Sequence, residues 1–143
     1  MKETLAGELA GNGHRLMQRV YYEDTDFSGV VYHARYLHFL ERGRTDFLRC
    51  LGINQSELAG GDGDGLAFVV YHIDITFRAA ARMDDILEIK TEPARLTGVR
   101  LVLDQKIVCN DKELIDATVT VATVDRQGRL TRMPKDTAHM FGF

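Results

Sequence analysis

The sequence predicts an α+β fold: an antiparallel sheet with one long helix lying on one face. Three observations lead there. Residues 36–51 repeat apolar side chains at helical spacing. From residue 67 to about residue 125 the chain reads almost wholly as strand, broken by short polar turns. No helical segment separates those strands, so they cannot be joined as parallel βαβ units.

Each element has a local reason. Residues 1–14 hold three Gly and little periodicity, and are expected to form a flexible arm. A short helical piece around Leu5 to Leu9 is the one exception. A single domain is then expected over residues 15–143. Arg15 to Tyr22 reads as a strand, with Met17, Val20, Tyr21 and Tyr22 available for packing. A polar loop, Glu23 to Gly29, follows. In the helix Tyr36, Leu40, Phe47, Leu48 and Leu51 form the apolar stripe, flanked by Leu37 and Phe39. Glu41, Arg42, Arg44, Asp46 and Arg49 are expected on the opposite, solvent-facing side. Gly52 sits where a helix ends in the left-handed conformation. Gly43 falls inside the helix, where Gly costs about 1 kcal/mol relative to Ala. That cost predicts a second backbone passing close to this turn.

The Gly60 to Gly65 stretch reads as a flexible connection suited to a lid. Its Asp62 and Asp64 would repel phosphate, and no Lys-Ser or Lys-Thr follows as in a P-loop. Val69, Tyr71, Ile73, Ile75 and Phe77 then alternate as one strand face, with His72, Asp74, Thr76 and Arg78 on the other. Further strands are expected at Ile86–Thr91, Val99–Cys109 and Leu114–Val124. Asn110-Asp111-Lys112 and Gln127-Gly128 mark turns, and Pro134 opens a C-terminal helical turn.

Composition narrows the function. The 143 residues suit one domain with one core, and 45% hydrophobic with 27% charged residues argues against disorder. A net charge of -3 offers no basic face for nucleic acid. Two Cys are too few for a disulfide scaffold. No signal peptide or membrane-spanning stretch is read, so a cytoplasmic location is expected.

The chemistry concentrates before the helix. Tyr22-Glu23-Asp24-Thr25-Asp26-Phe27-Ser28-Gly29 puts carboxylates beside a helix N-terminus, whose free N–H groups can stabilise an oxyanion. A carboxylate there can serve as base or nucleophile in acyl transfer. The same residues also suit plain helix capping, and the local sequence admits both readings. Metal binding is not expected. An EF-hand reading of Asp24, Asp26 and Ser28 would need a Glu where Arg35 stands. His33 and His38 do not share a helical face at ligand spacing. Cys50 and Cys109 read as buried structural thiols.

Tyr22-Glu23-Asp24-Thr25-Asp26, Gly29-Val30-Val31-Tyr32-His33 and Tyr36-Leu37 resemble the signature of hotdog-fold acyl-CoA thioesterases. More narrowly they resemble the Tol-Pal system-associated subfamily within the 4-hydroxybenzoyl-CoA thioesterase family. The helix text from Glu41 to Leu48 fits, with Gly43 where the family usually has Ala. Ala67 to Val70 and Arg82 to Ile89 extend the likeness, and Ala80 stands where Pro is frequent. The resemblance implies a curved antiparallel sheet of about five strands wrapped around the helix. It implies a homodimer or homotetramer with active sites at subunit interfaces. It implies hydrolysis of acyl-CoA thioesters, with coenzyme A as part of the substrate and no separate cofactor. By position, Asp26 is the catalytic carboxylate, the His33 backbone N–H the oxyanion donor, and Tyr22 their companion. The His33 side chain would orient water or Asp26, and Asp24 would brace the loop. Arg82, Lys90, Arg95 and Arg100 are candidates for the phosphates of coenzyme A by charge alone. An acyl carrier protein is an alternative carrier. Two rival functions are a hotdog hydroxyacyl dehydratase and a non-catalytic thioester-binding or scaffold protein of the cell envelope.

Overall fold

The structure, a computed structural model, describes residues 7–53 and 66–143. The Gly60 to Gly65 loop lies outside the described residues. Six strands form one antiparallel sheet. They are β1 (Glu8–Ala10), β2 (Gly13–Arg19), β3 (Ala67–Phe77), β4 (Ile86–Thr97), β5 (Arg100–Cys109) and β6 (Lys112–Val124). Their spatial order is β1-β2-β4-β5-β6-β3. The described residues also form the long helix α1 (Arg35–Cys50) and a short α2 (Lys135–Met140). The expected helix and four long strands are therefore present.

The β5–β6 hairpin turns at Asn110 and Asp111, both at positive φ (50° and 64°). Two successive left-handed residues twist a two-residue turn to match the flanking strands, which is why Asn and Asp suit it. Gly52 follows α1 at φ +86°, as the stop signal requires.

Four expectations change. First, residues 8–10 do not belong to a flexible arm or a helical turn. Glu8 to Ala10 pairs with Gly13 to Arg15 as a hairpin edge. Its backbone hydrogen bonds override a sequence with no strand periodicity, and they give the sheet its sixth strand.

Second, Asp46 is not on the solvent face of α1. It is buried, and its Oδ2 accepts from Gly7 N (2.7 Å) and His14 Nε2 (2.7 Å). Cys50 Sγ, one turn on, approaches the same oxygen at 3.7 Å and the Gly7 carbonyl at 3.6 Å. Burial, with Asp46 alongside, pushes the Cys50 thiol up and keeps it a proton donor. This cluster fastens the β1–β2 hairpin to α1.

Third, β3 does not alternate evenly. The pairing register with β6 shifts between Val70 and His72, so Tyr71 is an extra residue. Beyond the bulge, Ile73, Ile75 and Phe77 lie opposite Val119, Ala117 and Ile115, which are buried. Before it, Phe68 and Val70 rather than Val69 line the side that faces α1. Tyr71 is exposed, with the Arg100 guanidinium 4.3 Å from its ring centre.

Fourth, Gly43 meets side chains, not a backbone. A Cβ there would come within 2.7 Å of Ile89 Cγ2 and 3.3 Å of Gln105 Nε2 and Thr91 Oγ1. Gly is needed because the helix lies close against the sheet at this turn. Gln105 is fully buried and donates to the Leu40 carbonyl (3.0 Å) and Thr91 Oγ1 (2.9 Å). This polar pair lies between two apolar clusters. One centres on Phe39, Leu40, Leu87, Ile89 and Ile107. The other centres on Phe47, Leu101, Leu103, Val119 and Phe141.

Candidate active site

The segment before α1 is held from several sides. Tyr22–Asp24 forms one turn of 3-10 helix. Thr25 and Val31 then pair across a tight turn, closed by Asp26 N to the Val30 carbonyl (2.8 Å) and Gly29 N to the Asp26 carbonyl (3.1 Å). Gly29 takes φ +85°, which a side chain would strain. Asp24 braces the loop from inside. It is buried, accepts from Tyr21 N at 2.8 Å and pairs with Arg35 Nε at 3.4 Å. Its carbonyl accepts from Tyr32 N at 2.9 Å.

A second clamp comes from the sheet. Val31 N donates to the Ala81 carbonyl (2.8 Å), and Ala81 N donates to the buried Tyr36 Oη (2.9 Å). Burial pushes the Tyr36 phenol up, so it stays protonated. Tyr36→Phe leaves the Ala81 N–H without its acceptor. An expected loss of about 1–3 kcal/mol follows, read from urea unfolding. Unchanged stability would mean that water replaces the phenol.

Asp26 stands at the tip of the turn and is exposed. Its Oδ1 accepts from Ser28 N (2.8 Å) and Ser28 Oγ (2.5 Å). Among the described residues no hydrogen bond goes to Oδ2. The Ser28 hydroxyl, and then its backbone N–H, hold the Asp26 carboxyl below its usual value. The group is thus ionised above that lowered value and gains a proton as pH falls through it. A reaction that needs the carboxylate keeps its activity to lower pH than an ordinary Asp allows. Ser28→Ala removes the largest cause. The acid limb of the pH–rate profile is then expected to move to higher pH, and an unmoved limb would detach Ser28 from Asp26's titration.

The helix end is chemically open. The residue before α1, Ala34, makes no side-chain cap, and no acidic residue occupies the first turn. Neither Asp26 nor Ser28 caps the helix, so the capping reading of this loop is not the one observed. Among the described residues the backbone N–H of His33 has no acceptor. That leaves it available to an oxyanion at the positive end of the helix dipole.

The structure places Tyr22, Asp26 and His33 on one loop, but no hydrogen bond joins their side chains. Tyr22 is 78% exposed. The His33 ring lies against Tyr32 (4.6 Å between centres) and edge-on to Phe77 of β3 (6.3 Å). Sequence reasoning missed both contacts. Tyr32 was visible only as a neighbour of His33, and nothing local connects residue 33 with residue 77. Of the four cations considered for coenzyme A, only Arg82 adjoins this loop, through its backbone bridge to Val30. Lys90 pairs with Glu88, and Arg100 stacks on Tyr71.

Residues 28–115 match the family model described as the thioesterase superfamily. His33 falls within that span, while Tyr22 and Asp26 precede it. The chain is 47% identical over 117 residues to "Acyl-CoA thioesterase YbgC" of Haemophilus influenzae, covering 82% of this chain and 85% of that one. It is 46% identical over 108 residues to "Acyl-CoA thioester hydrolase YbgC" of Escherichia coli O157:H7, covering 75% and 78%. Among solved structures, a probable thioesterase from Bartonella henselae superposes with a TM-score of 0.82 at 47% identity, covering 85% of this chain and 99% of that one. The long helix on an antiparallel sheet is thus the hotdog architecture, and the chain belongs to the thioesterase superfamily.

Proposed function

We propose that this protein hydrolyses acyl-CoA thioesters to a free acid and coenzyme A. The observation that carries the proposal is a free carboxylate oxygen on Asp26 in the same loop as an uncapped helix N-terminus. Relatives nearly half identical bear acyl-CoA thioesterase names. As general base, Asp26 takes a proton from water as the water oxygen attacks the thioester carbonyl carbon. The His33 N–H donates to the oxyanion that forms. The intermediate collapses, the C–S bond breaks, and the coenzyme A thiolate leaves to be protonated. As nucleophile, Asp26 attacks that carbon itself, expels the thiolate and forms a mixed anhydride that water then opens. Tyr22 stands beside either course as the companion residue. Arg82, whose backbone bridges to Val30 of the loop, is the candidate to bind a phosphate of coenzyme A.

Among the described residues the outer edge of β3 is unpaired, which supports a homodimer, with a tetramer of two dimers as the larger form. The proposal extends to a cytoplasmic site of action and an association with the Tol-Pal envelope system. A carrier-protein thioester is the alternative substrate. The dehydratase reading needs a helix carboxylate opposite a His, both open to substrate. Asp46 and His14 are the nearest match, but they are buried and bonded to one another.

The test is a panel of acyl-CoAs of graded length with detection of free thiol. Thiol release from at least part of the panel is expected. Tight binding without release would replace the enzyme reading with that of a thioester-binding module.

A further inference from the structure

We infer that His14, Asp46 and Cys50 form a binding site for one zinc ion, which pins the β1–β2 hairpin to α1. The site stands apart from the catalytic loop. Asp46 lies about eleven residues beyond Arg35, the start of α1, or ~16 Å along the helix axis.

Residue types and spacing come first. Asp46 and Cys50 are one turn apart on α1, so both project from the same helix face. Two ligands at that spacing, joined by a third from another element, form a recurrent zinc-binding arrangement. His14 of β2 is the third. Imidazole, carboxylate and thiolate are all zinc ligands, whereas calcium and magnesium take oxygen alone.

The three ligand atoms lie within 4.8 Å of one another. Zinc bonds of about 2.0–2.3 Å set tetrahedral neighbours ~3.3–3.6 Å apart. Cys50 Sγ and Asp46 Oδ2, at 3.7 Å, are already close to that spacing. His14 Nε2 and Asp46 Oδ2 are 2.7 Å apart. They need to part by ~0.6 Å as the ion replaces the hydrogen between them. The Gly7 carbonyl oxygen, 3.6 Å from Cys50 Sγ, is the candidate fourth ligand. Gly7 also keeps the space open, since a Cβ there would stand 2.8 Å from His14 Nε2 and 2.9 Å from Asp46 Oδ2. The His14 ring is held in place by stacking on Phe47, with centres 5.7 Å apart. Cys50 is half-buried, which gives an ion a way in.

Without metal the cluster is poorly satisfied. Gly7 N, His14 Nε2 and Cys50 Sγ all converge on Asp46 Oδ2. One carboxylate oxygen has about two acceptor positions. The buried His14 Nδ1 has no partner among the described residues. Zinc takes the place of two of the three donors. Cys50 gives its thiol proton to solvent, and the single proton of the neutral His14 ring sits on Nδ1, which leaves Nε2 to bind the ion. The two positive charges of zinc then balance the Asp46 carboxylate and the Cys50 thiolate, so the buried site carries no net charge.

The test uses chelator-treated protein titrated with zinc chloride alone. Wild type is expected to retain one zinc per chain after dialysis, by elemental analysis. Its Tm is expected to rise by about 5 °C or more in about 0.1 mM zinc. Cobalt in place of zinc is expected to give a thiolate-to-cobalt absorption band. Cys50→Ser is expected to lose that band and to bind zinc at least ~100-fold more weakly, beyond what loss of an outer partner costs. Wild type that retains no zinc overturns the inference. Zinc that leaves the Tm unchanged, or that Cys50→Ser holds as tightly as wild type, is an adventitious ion only and overturns it as well. If Cys50→Ser does not fold, alkylation of the wild-type thiol reads the same contact. Zinc is expected to protect Cys50 from iodoacetamide, and unchanged labelling overturns the assignment. None of these readouts needs turnover, so they stand whether or not acyl-CoA is hydrolysed.

Discussion

Asp26→Asn is expected to lower turnover on acyl-CoA by about 10²–10⁴-fold, the range associated with a positioned general base. The amide neither accepts a proton from water at neutral pH nor attacks a thioester, so the loss follows for either course of the reaction. The fold is expected to survive. Asp26 is exposed, and its carboxylate bonds only to Ser28 among the described residues. The turn itself rests on backbone bonds to Val30 and from Gly29, which the substitution leaves in place. The His33 N–H also remains, so the residual rate measures what the oxyanion donor achieves without the carboxylate. Steady-state kinetics by thiol release, with thermal unfolding as the control on folding, decide the matter. Turnover within a few-fold of wild type would remove Asp26 from the reaction.

The largest expected effect on stability comes from a residue far from this loop. Asp46→Ala is expected to cost about 1–3 kcal/mol for each buried donor it leaves without an acceptor. The carboxylate is the acceptor for Gly7 N–H and for His14, whose side chain is completely buried. His14 Nδ1 already lacks a partner. With Asp46 gone, neither ring nitrogen has one, and an unpaired buried polar group carries its full desolvation penalty. The β1–β2 hairpin would also lose its fastening to α1. Urea unfolding measures the difference, and Asp46→Asn, which keeps an acceptor oxygen, should cost less. A loss under about 0.5 kcal/mol would show that the hairpin does not depend on this carboxylate.

These two acids mark the limits of reading the chain as a string. The setting of Asp26 was legible because it is local: a carboxylate, a turn glycine and a helix start lie within ten residues. Asp46 was not. Helical periodicity puts it beside Arg42 and Arg49 and reads the group as a solvated face. Its burial depends on Gly7 and His14, which approach only after a hairpin forms 30 to 40 residues earlier in the chain. β1 escaped notice for a related reason. Three residues with one acidic side chain carry no alternation, and their strand state is set by the neighbour they pair with. The bulge at Tyr71 was hidden because a single inserted residue leaves the local pattern of Val69, Tyr71 and Ile73 looking regular. The helix stripe and the last three strands were legible because burial on one face imposes a period that survives in the residues. β4 was expected to end at Thr91, two residues before Pro93. β2 ends its pairing with β4 at His14 and Thr91, so Pro93 faces no β2 acceptor, and the strand runs on past it to Thr97.

The two margins of the sheet differ in a way that bears on how large an assembly can grow. One margin is β1, three residues long with an exposed glutamate. The other is β3, eleven residues long with Val69, Val70 and Tyr71 exposed. A short charged margin is a poor template for another strand, while a long apolar one invites it. If two copies pair along β3, as proposed, the margins left facing outward among the described residues are the blunt ones. The ribbon would then be closed to further lengthening after a single event, and a sheet that could seed a fibre would stop at a pair.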